Sequence, residues 1–182
     1  GFTAFACDVE TTILHGGGGT DSANLYDAPS DDVLTAAPGE VHFSGANFDH
    51  TVNDFARTNV FASAGGHDTA HFGDSEVDDL FLARPDYAYM QGGGFRNYGR
   101  GFDEVTATAT LGDRDRAQLY DDVSDDTLIA TPTSVQLWGD AFDYTVNDFE
   151  RVITTANAGG SETATNYGGA GDDDFVDYNM GT

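Results

Sequence analysis

The chain has 182 residues, 39% of them hydrophobic, with 13 Phe and 8 Tyr, enough for one domain with its own core and too apolar for a disordered acidic tail. Its 32 acidic residues face seven Arg and no Lys, a net charge of −25, which speaks against nucleic acid and anionic membranes, since both need basic patches. No apolar run approaches the ~18 residues that span a bilayer, which excludes membrane insertion by a helix, and the single Cys7 has no internal disulfide partner.

Period-two alternation runs through the chain and predicts strands. In chain order the candidates are VLTA (33–36), VHFSG (41–45), TNVFASAGG (58–66), DTAHF (68–72), LFLA (80–83) and YAYMQ (87–91). They continue with VTATAT (105–110), DRAQL (115–119), TLIA (127–130), VQLWG (135–139), VITTANAGG (152–160) and ETATN (162–166). Gly, Asp and Pro punctuate the joints. TVNDFAR (51–57) and TVNDFER (145–151) are expected to form one short turn each. No segment holds a helical period for ten residues.

These candidates recur. Asp31-Asp32 reappears as Asp78-Asp79, Asp125-Asp126 and Asp172-Asp173, a step of 47 residues without gaps. Pro38, Pro85 and Pro132 keep the step, as do Phe48, Phe95 and Phe142, and Phe55, Phe102 and Phe149. Residues 1–17 match poorly and form an atypical N-terminal segment. Residues 18–182 read as one repeat domain: a partial unit 18–24, units 25–71, 72–118 and 119–165, and a partial unit 166–182. Repeated strands with tight joints predict an all-β fold, a right-handed parallel β-helix (β-solenoid) built from these repeats. Small residues such as Ala23, Ala70, Ala117 and Ala164 suit a narrow stacked interior. The alternative is an antiparallel β-sandwich or blade-like array, one blade per unit.

Each unit crowds carboxylates at the same joint: Asp27, Asp31 and Asp32; Asp74, Asp78 and Asp79; Asp121, Asp122, Asp125 and Asp126; and Asp172 and Asp173. Stacked like charges repel unless something neutralises them. Two readings compete. Oxygen-rich turns are what calcium uses, so the joints are a candidate calcium ladder. Asp is also a turn residue in its own right, because its side chain bonds nearby backbone N–H groups. The GGxGxDxUx nonapeptide of calcium-binding β-rolls is absent, with GGAGDDDFV (168–176) the nearest approach, and EF-hand spacing is absent too.

A second cluster is basic. RPDYAYMQGGGFRNYGRG (84–101) carries Arg84, Arg96 and Arg100 with Tyr87, Tyr89 and Tyr98. Arg forks bind carboxylate or sulfate, and Tyr faces stack on sugar rings. The competing reading pairs each Arg with an Asp of a neighbouring unit. The histidines form no ladder: His67 and His71 have Arg114/Gln118 and Ser161/Thr165 at the equivalent positions. GxSxG, zinc spacing and a phosphate loop are all missing, so no catalytic residue is assigned.

The phrases LYDxxxDDxLxAxP, GxxFDxTVNDFxR and AGGHDTA (64–70) make the chain resemble repeats of very large secreted or surface β-solenoid proteins of aquatic bacteria. The resemblance covers the chain from about residue 18 and implies export and a scaffold or adhesive role, with no catalytic residues to carry over. The chain starts at Gly1 rather than Met and is expected to be a mature or excised segment, either a slice of a longer array or one whose ends are docked by something else. The expected function is therefore a non-enzymatic structural or adhesive repeat of an extracellular, cell-surface or filament-forming protein, stabilised by stacking and by cations. Its expected partners are neighbouring repeats or subunits. The alternative is a module that binds or processes anionic glycans through the Arg/Tyr cluster.

Overall fold

The computed structural model describes residues 9–112, 114–156 and 159–168. They contain 17 β-strands and no helix. The strands are β1 (Thr11–His15), β2 (Ser22–Tyr26), β3 (Val33–Ala37), β4 (Glu40–Gly45), β5 (Phe48–Asn53), β6 (Arg57–Phe61), β7 (Thr69–Gly73), β8 (Leu80–Arg84) and β9 (Tyr87–Gly92). After them come β10 (Phe95–Arg100), β11 (Glu104–Thr108), β12 (Arg116–Tyr120), β13 (Thr127–Ala130), β14 (Ser134–Trp138), β15 (Asp143–Asn147), β16 (Arg151–Thr155) and β17 (Thr163–Asn166).

They form two sheets. The ten-stranded sheet has the order β1-β5-β4-β3-β7-β11-β15-β14-β13-β17, and the seven-stranded sheet β16-β12-β8-β9-β10-β6-β2. The chain alternates between them, so the architecture is a β-solenoid with the core between two sheets. Counted from one lone strand to the next (β2–β6, β7–β11, β12–β16), successive units are linked in parallel with a repeated register: Leu34 pairs Ala70, Phe81 pairs Ala117, and Leu128 pairs Ala164. Within each unit three strands instead fold as an antiparallel meander, β3-β4-β5, β8-β9-β10 and β13-β14-β15. The solenoid therefore carries an antiparallel element of the kind the alternative fold invoked.

One unit visits three sheet positions: a single strand, a meander, then a single strand. Three is odd, so the next unit starts on the opposite sheet. β2 lies in the seven-stranded sheet, β7 in the ten-stranded, β12 again in the seven-stranded and β17 in the ten-stranded. Each unit thus makes one and a half turns, and matching side chains return to the same face only after two units.

Alternation decides what goes inside. Ala23 and Leu25, Ala70 and Phe72, and Ala117 and Leu119 point into one continuous core, beside Leu34, Phe43, Phe81 and Met90. Burying such side chains contributes about 1.5–3 kcal/mol each for the larger ones. The core also holds a recurrent polar bridge. Asn97 Nδ2 donates to the Ala37 carbonyl at 3.1 Å, and Tyr144, in the equivalent place one unit on, donates its hydroxyl to the Arg84 carbonyl. Burial raises the Tyr144 phenol pKa far above its usual range, which keeps it a donor.

The short turns expected at 51–57 and 145–151 are instead the ends of strands β5 and β15 and the loops that leave them. Asp54 (φ 58), Gly101 (φ 84) and Asp148 (φ 61) occupy one equivalent left-handed position there. Asp tolerates that conformation better than most side chains. Their N–H groups bond back to the carbonyls of Gly39, Asp86 and Thr133 in the meander turns.

Part of the atypical N-terminal segment belongs to the stack. β1 pairs β5 as β6 pairs β10: Thr12 faces His50 where Thr58 faces Asn97. Thr12 and Thr58 are 46 residues apart rather than 47. This one-residue slip moves every side chain of the strand out of the repeat frame and accounts for the poor match of Thr11–His15.

Candidate functional site

Two features stand apart from the core: acidic corners where the chain changes sheet, and the outer face of the seven-stranded sheet.

At the corners the carboxylates turn inward onto peptide N–H groups. Asp32, Asp79 and Asp126 are buried. Their Oδ2 atoms accept from the N–H of Ala28, Ser75 and Asp122, four residues back, at 3.1, 2.5 and 3.3 Å. Contacts between successive passes use the same chemistry. Asp68 accepts from the Asp32 N–H at 2.8 Å, and the Asp68 N–H donates to Asp103 at 2.8 Å. On the opposite corner Asp115 accepts from the Asp79 N–H at 2.7 Å, and the Asp115 N–H donates to Glu150 at 2.7 Å. Asp27 and Asp74 accept from Ala64 and Leu111, and Asp31 and Asp125 from His67 and Ser161. Asp122 accepts from Ser124, and Asp78 lies 3.8 Å from the Arg114 guanidinium. The Asp121 carboxyl is buried beside them.

Peptide donors thus do part of the neutralising that the stacked charges require. Burial, helped by neighbouring carboxylates, still pushes Asp68 and Asp115 up to about 6, and raises Asp79 and Asp126. Among the described residues no group of three or more His, Cys, Asp or Glu side chains is placed to hold a metal ion. Asp172 and Asp173 lie outside the described residues.

The other feature is a segregation of charge. The strands of the seven-stranded sheet contain six of the seven arginines and no Asp or Glu. Those of the ten-stranded sheet contain Glu40, Asp49, Glu104 and Asp143 and no Arg. The six Arg/Tyr residues singled out in the sequence, Arg84, Tyr87, Tyr89, Arg96, Tyr98 and Arg100, come together on β8, β9 and β10, at outward positions of the seven-stranded sheet. Neighbouring units add to them. One register row crosses the sheet as Arg151, Arg116, Leu80, Gln91, Arg96, Arg57 and Ser22. The next outward row is Ile153, Gln118, Leu82, Tyr89, Tyr98, Asn59 and Asn24.

Rings and guanidinium groups interlock on this face. Arg84 sits over the Tyr120 ring at 3.8 Å and Arg96 over Tyr89 at 4.5 Å. Tyr87 stacks on Tyr98, and Tyr26 on Phe61, with centroids 5.6 and 5.1 Å apart. Arg100 approaches Asp86 at 3.6 Å and Arg114 approaches Asp78 at 3.8 Å. Among the described residues Arg57, Arg84, Arg96, Arg116 and Arg151 make no ion pair, so the described residues do not show each Arg paired with an Asp of a neighbouring unit. A groove of about 970 Å³ runs along the edge of the face; its charged lining is Arg57, Arg96, Arg114, Arg116 and Arg151 with the corner acids Asp78, Asp79, Asp115 and Glu150.

Sequence reasoning missed Arg57, Arg116, Arg151 and Tyr120. A signal for two of them was present: Arg57 and Arg151 are 94 residues apart, two units, while position 104 between them is Glu. The Glu lies on the ten-stranded sheet.

No family model matches the chain, and neither curated proteins nor solved structures give a match.

Proposed function

We propose that this chain is a non-catalytic structural segment, a stiff β-solenoid module of an extracellular surface or filament-forming protein. The observation that carries the reading is the repeated interface. Leu34–Ala70, Phe81–Ala117 and Leu128–Ala164 are the same contact used three times, on alternating sheets. A module whose every face toward its neighbour is the same builds length, and its stability sums over neighbouring units. The outermost strands among the described residues, β1 and β17 of one sheet and β2 and β16 of the other, are edges suited to a further repeat or subunit. The acidic surface suits a saline exterior, where salt screens its self-repulsion. The resemblance to large exported repeat proteins supports the extracellular placement.

The test is to concatenate units. Two units add five strands to each sheet, or about 24 Å of length at the usual strand spacing. Chains carrying one, two and three copies of residues 25–118 should lengthen in X-ray scattering by that increment per copy, at constant cross-section. A cross-section that grows while length stays fixed would sink the rod.

A further inference from the structure

Going beyond the scaffold reading, we propose that the outer face of the seven-stranded sheet is a binding surface for a carboxylated, uronate-type polysaccharide lying along the solenoid axis. In a chain of net charge −25, chance does not favour a sheet with six arginines and no acid. Arg57, Arg116 and Arg151 make neither an ion pair nor a ring contact among the described residues, so their forks are open to a bidentate oxyanion, which Arg recognises better than a point charge does. The row from Arg57 to Arg151 crosses six adjacent strands and runs about 24 Å, enough for several sugar rings.

The second row supplies what hydroxyl-bearing rings need. Gln118, Asn59 and Asn24 offer amides, with Asn59 Nδ2 donating to Asn24 Oδ1 at 2.8 Å. Tyr89 and Tyr98 offer flat faces beside phenolic hydroxyls. Tyr98 remains a phenol well above neutral pH, since burial raises its pKa.

Charge complementarity selects this occupant over the others. A second copy that presented the outer face of the ten-stranded sheet would bring few free acids. Three of its four acids are already engaged: Asp49 with His42 at 2.8 Å, Glu104 with His67 at 2.9 Å, and Asp143 with Gln136 at 2.9 Å. Densely charged polyanions, such as nucleic acid or heavily sulfated glycans, meet the repulsion of the whole acidic molecule, which scales with ligand charge. A uronan, with at most one charge per ring, meets the least.

The experiment measures binding of sodium alginate by calorimetry in 0.15 M salt with chelator, with neutral dextran, dextran sulfate and poly(dT) as comparison ligands. Alginate should bind and dextran should not. Arg57→Ala, Arg116→Ala and Arg151→Ala should each weaken binding about threefold, and the triple variant by more than about tenfold. The triple Arg→Lys variant should recover only part of the loss, because the fork is gone. Thr106→Ala with Thr145→Ala, on the opposite sheet, should bind as wild type. If the triple variant does not fold, the exposed single variant Arg57→Ala carries the test. The proposal is overturned if wild type ignores alginate, if arginine removal leaves binding unchanged, if dextran sulfate or poly(dT) binds as tightly, or if the face proves to be covered by a second copy in sedimentation.

Discussion

Gly92 is a position where one added methyl group should be costly. Gly45 and Gly92 end the second meander strand of their units and Gly139 directly follows it in the next, and their backbones lie outside the left-handed region. They are glycine because of what passes beside them. A methyl group at Gly45 would overlap the Asp32 carboxylate, one at Gly92 that of Asp79, and one at Gly139 that of Asp126. In Gly92→Ala the buried Asp79 side chain must move. The overlap falls on Oδ1, and turning the carboxyl group away carries Oδ2 off the Ser75 N–H at 2.5 Å and the Ser75 hydroxyl at 2.8 Å. Two such bonds to a carboxyl group, with a corner N–H left without its acceptor, amount to roughly 3 kcal/mol. For a chain of this size that is a fall in melting temperature of roughly 6–12 °C. The comparison is Gly94→Ala, two residues on, where φ is +90 and nothing lies within 4 Å of the added methyl. Only backbone strain acts there, about 1–2 kcal/mol. Thermal melts followed by circular dichroism separate the two. If Gly94→Ala melts lower than Gly92→Ala, the glycine is not kept by the buried aspartate and the account of the corners fails.

Two further outcomes are expected. Asp68 and Asp115 titrate near 6 in the folded chain, against about 3.9 unfolded. Between those values the unfolded state releases protons that the folded state still holds, so their contribution to stability is greatest below about pH 4 and is lost as pH rises to about 6. Urea midpoints should therefore fall across that window, and Asp115→Asn should flatten the fall. A flat wild-type profile would remove the buried acids as the cause. Deleting residues 72–118, one whole unit, should leave a folded all-β protein, because residue 119 takes the place of residue 72. A 40-residue deletion from the same start should abolish cooperative melting, since it breaks both register and alternation. Equal behaviour of the two would contradict the unit.

Much of the fold could be read in the sequence because a gapless step of 47 residues fixes many positions at once. The inward alanines at positions 23, 70 and 117 and the corner aspartates fall where period-two patterning and turn chemistry place them. The last meander strand was harder to see. Its inward places hold Asn97 and Gly99 in one unit and Tyr144 in the next, so apolar alternation fades although the strand remains. What holds it is a bond to the carbonyl of Ala37 or Arg84 across the core, 60 residues back, which no local pattern announces. The opposite acid–base characters of the two faces were hidden for a related reason. Period-two reading tells inside from outside on a strand, but it does not tell which sheet the strand joins.

That last quantity follows from parity. A unit with an even number of passes would keep equivalent residues on one face, and a patch read from one unit would recur in all of them. With three passes, each face is written by alternate units. Positions 57, 104 and 151 carry Arg, Glu and Arg, and lie on the seven-, ten- and seven-stranded sheets in turn. Positions 49, 96 and 143 carry Asp, Arg and Asp, and lie on the ten-, seven- and ten-stranded sheets. Two independent positions thus switch charge in step with the sheet. Drift in a neutral surface gives no reason for that agreement, whereas two faces with separate tasks do. In any longer array of such units, the place to look for the arginine face is therefore every second repeat.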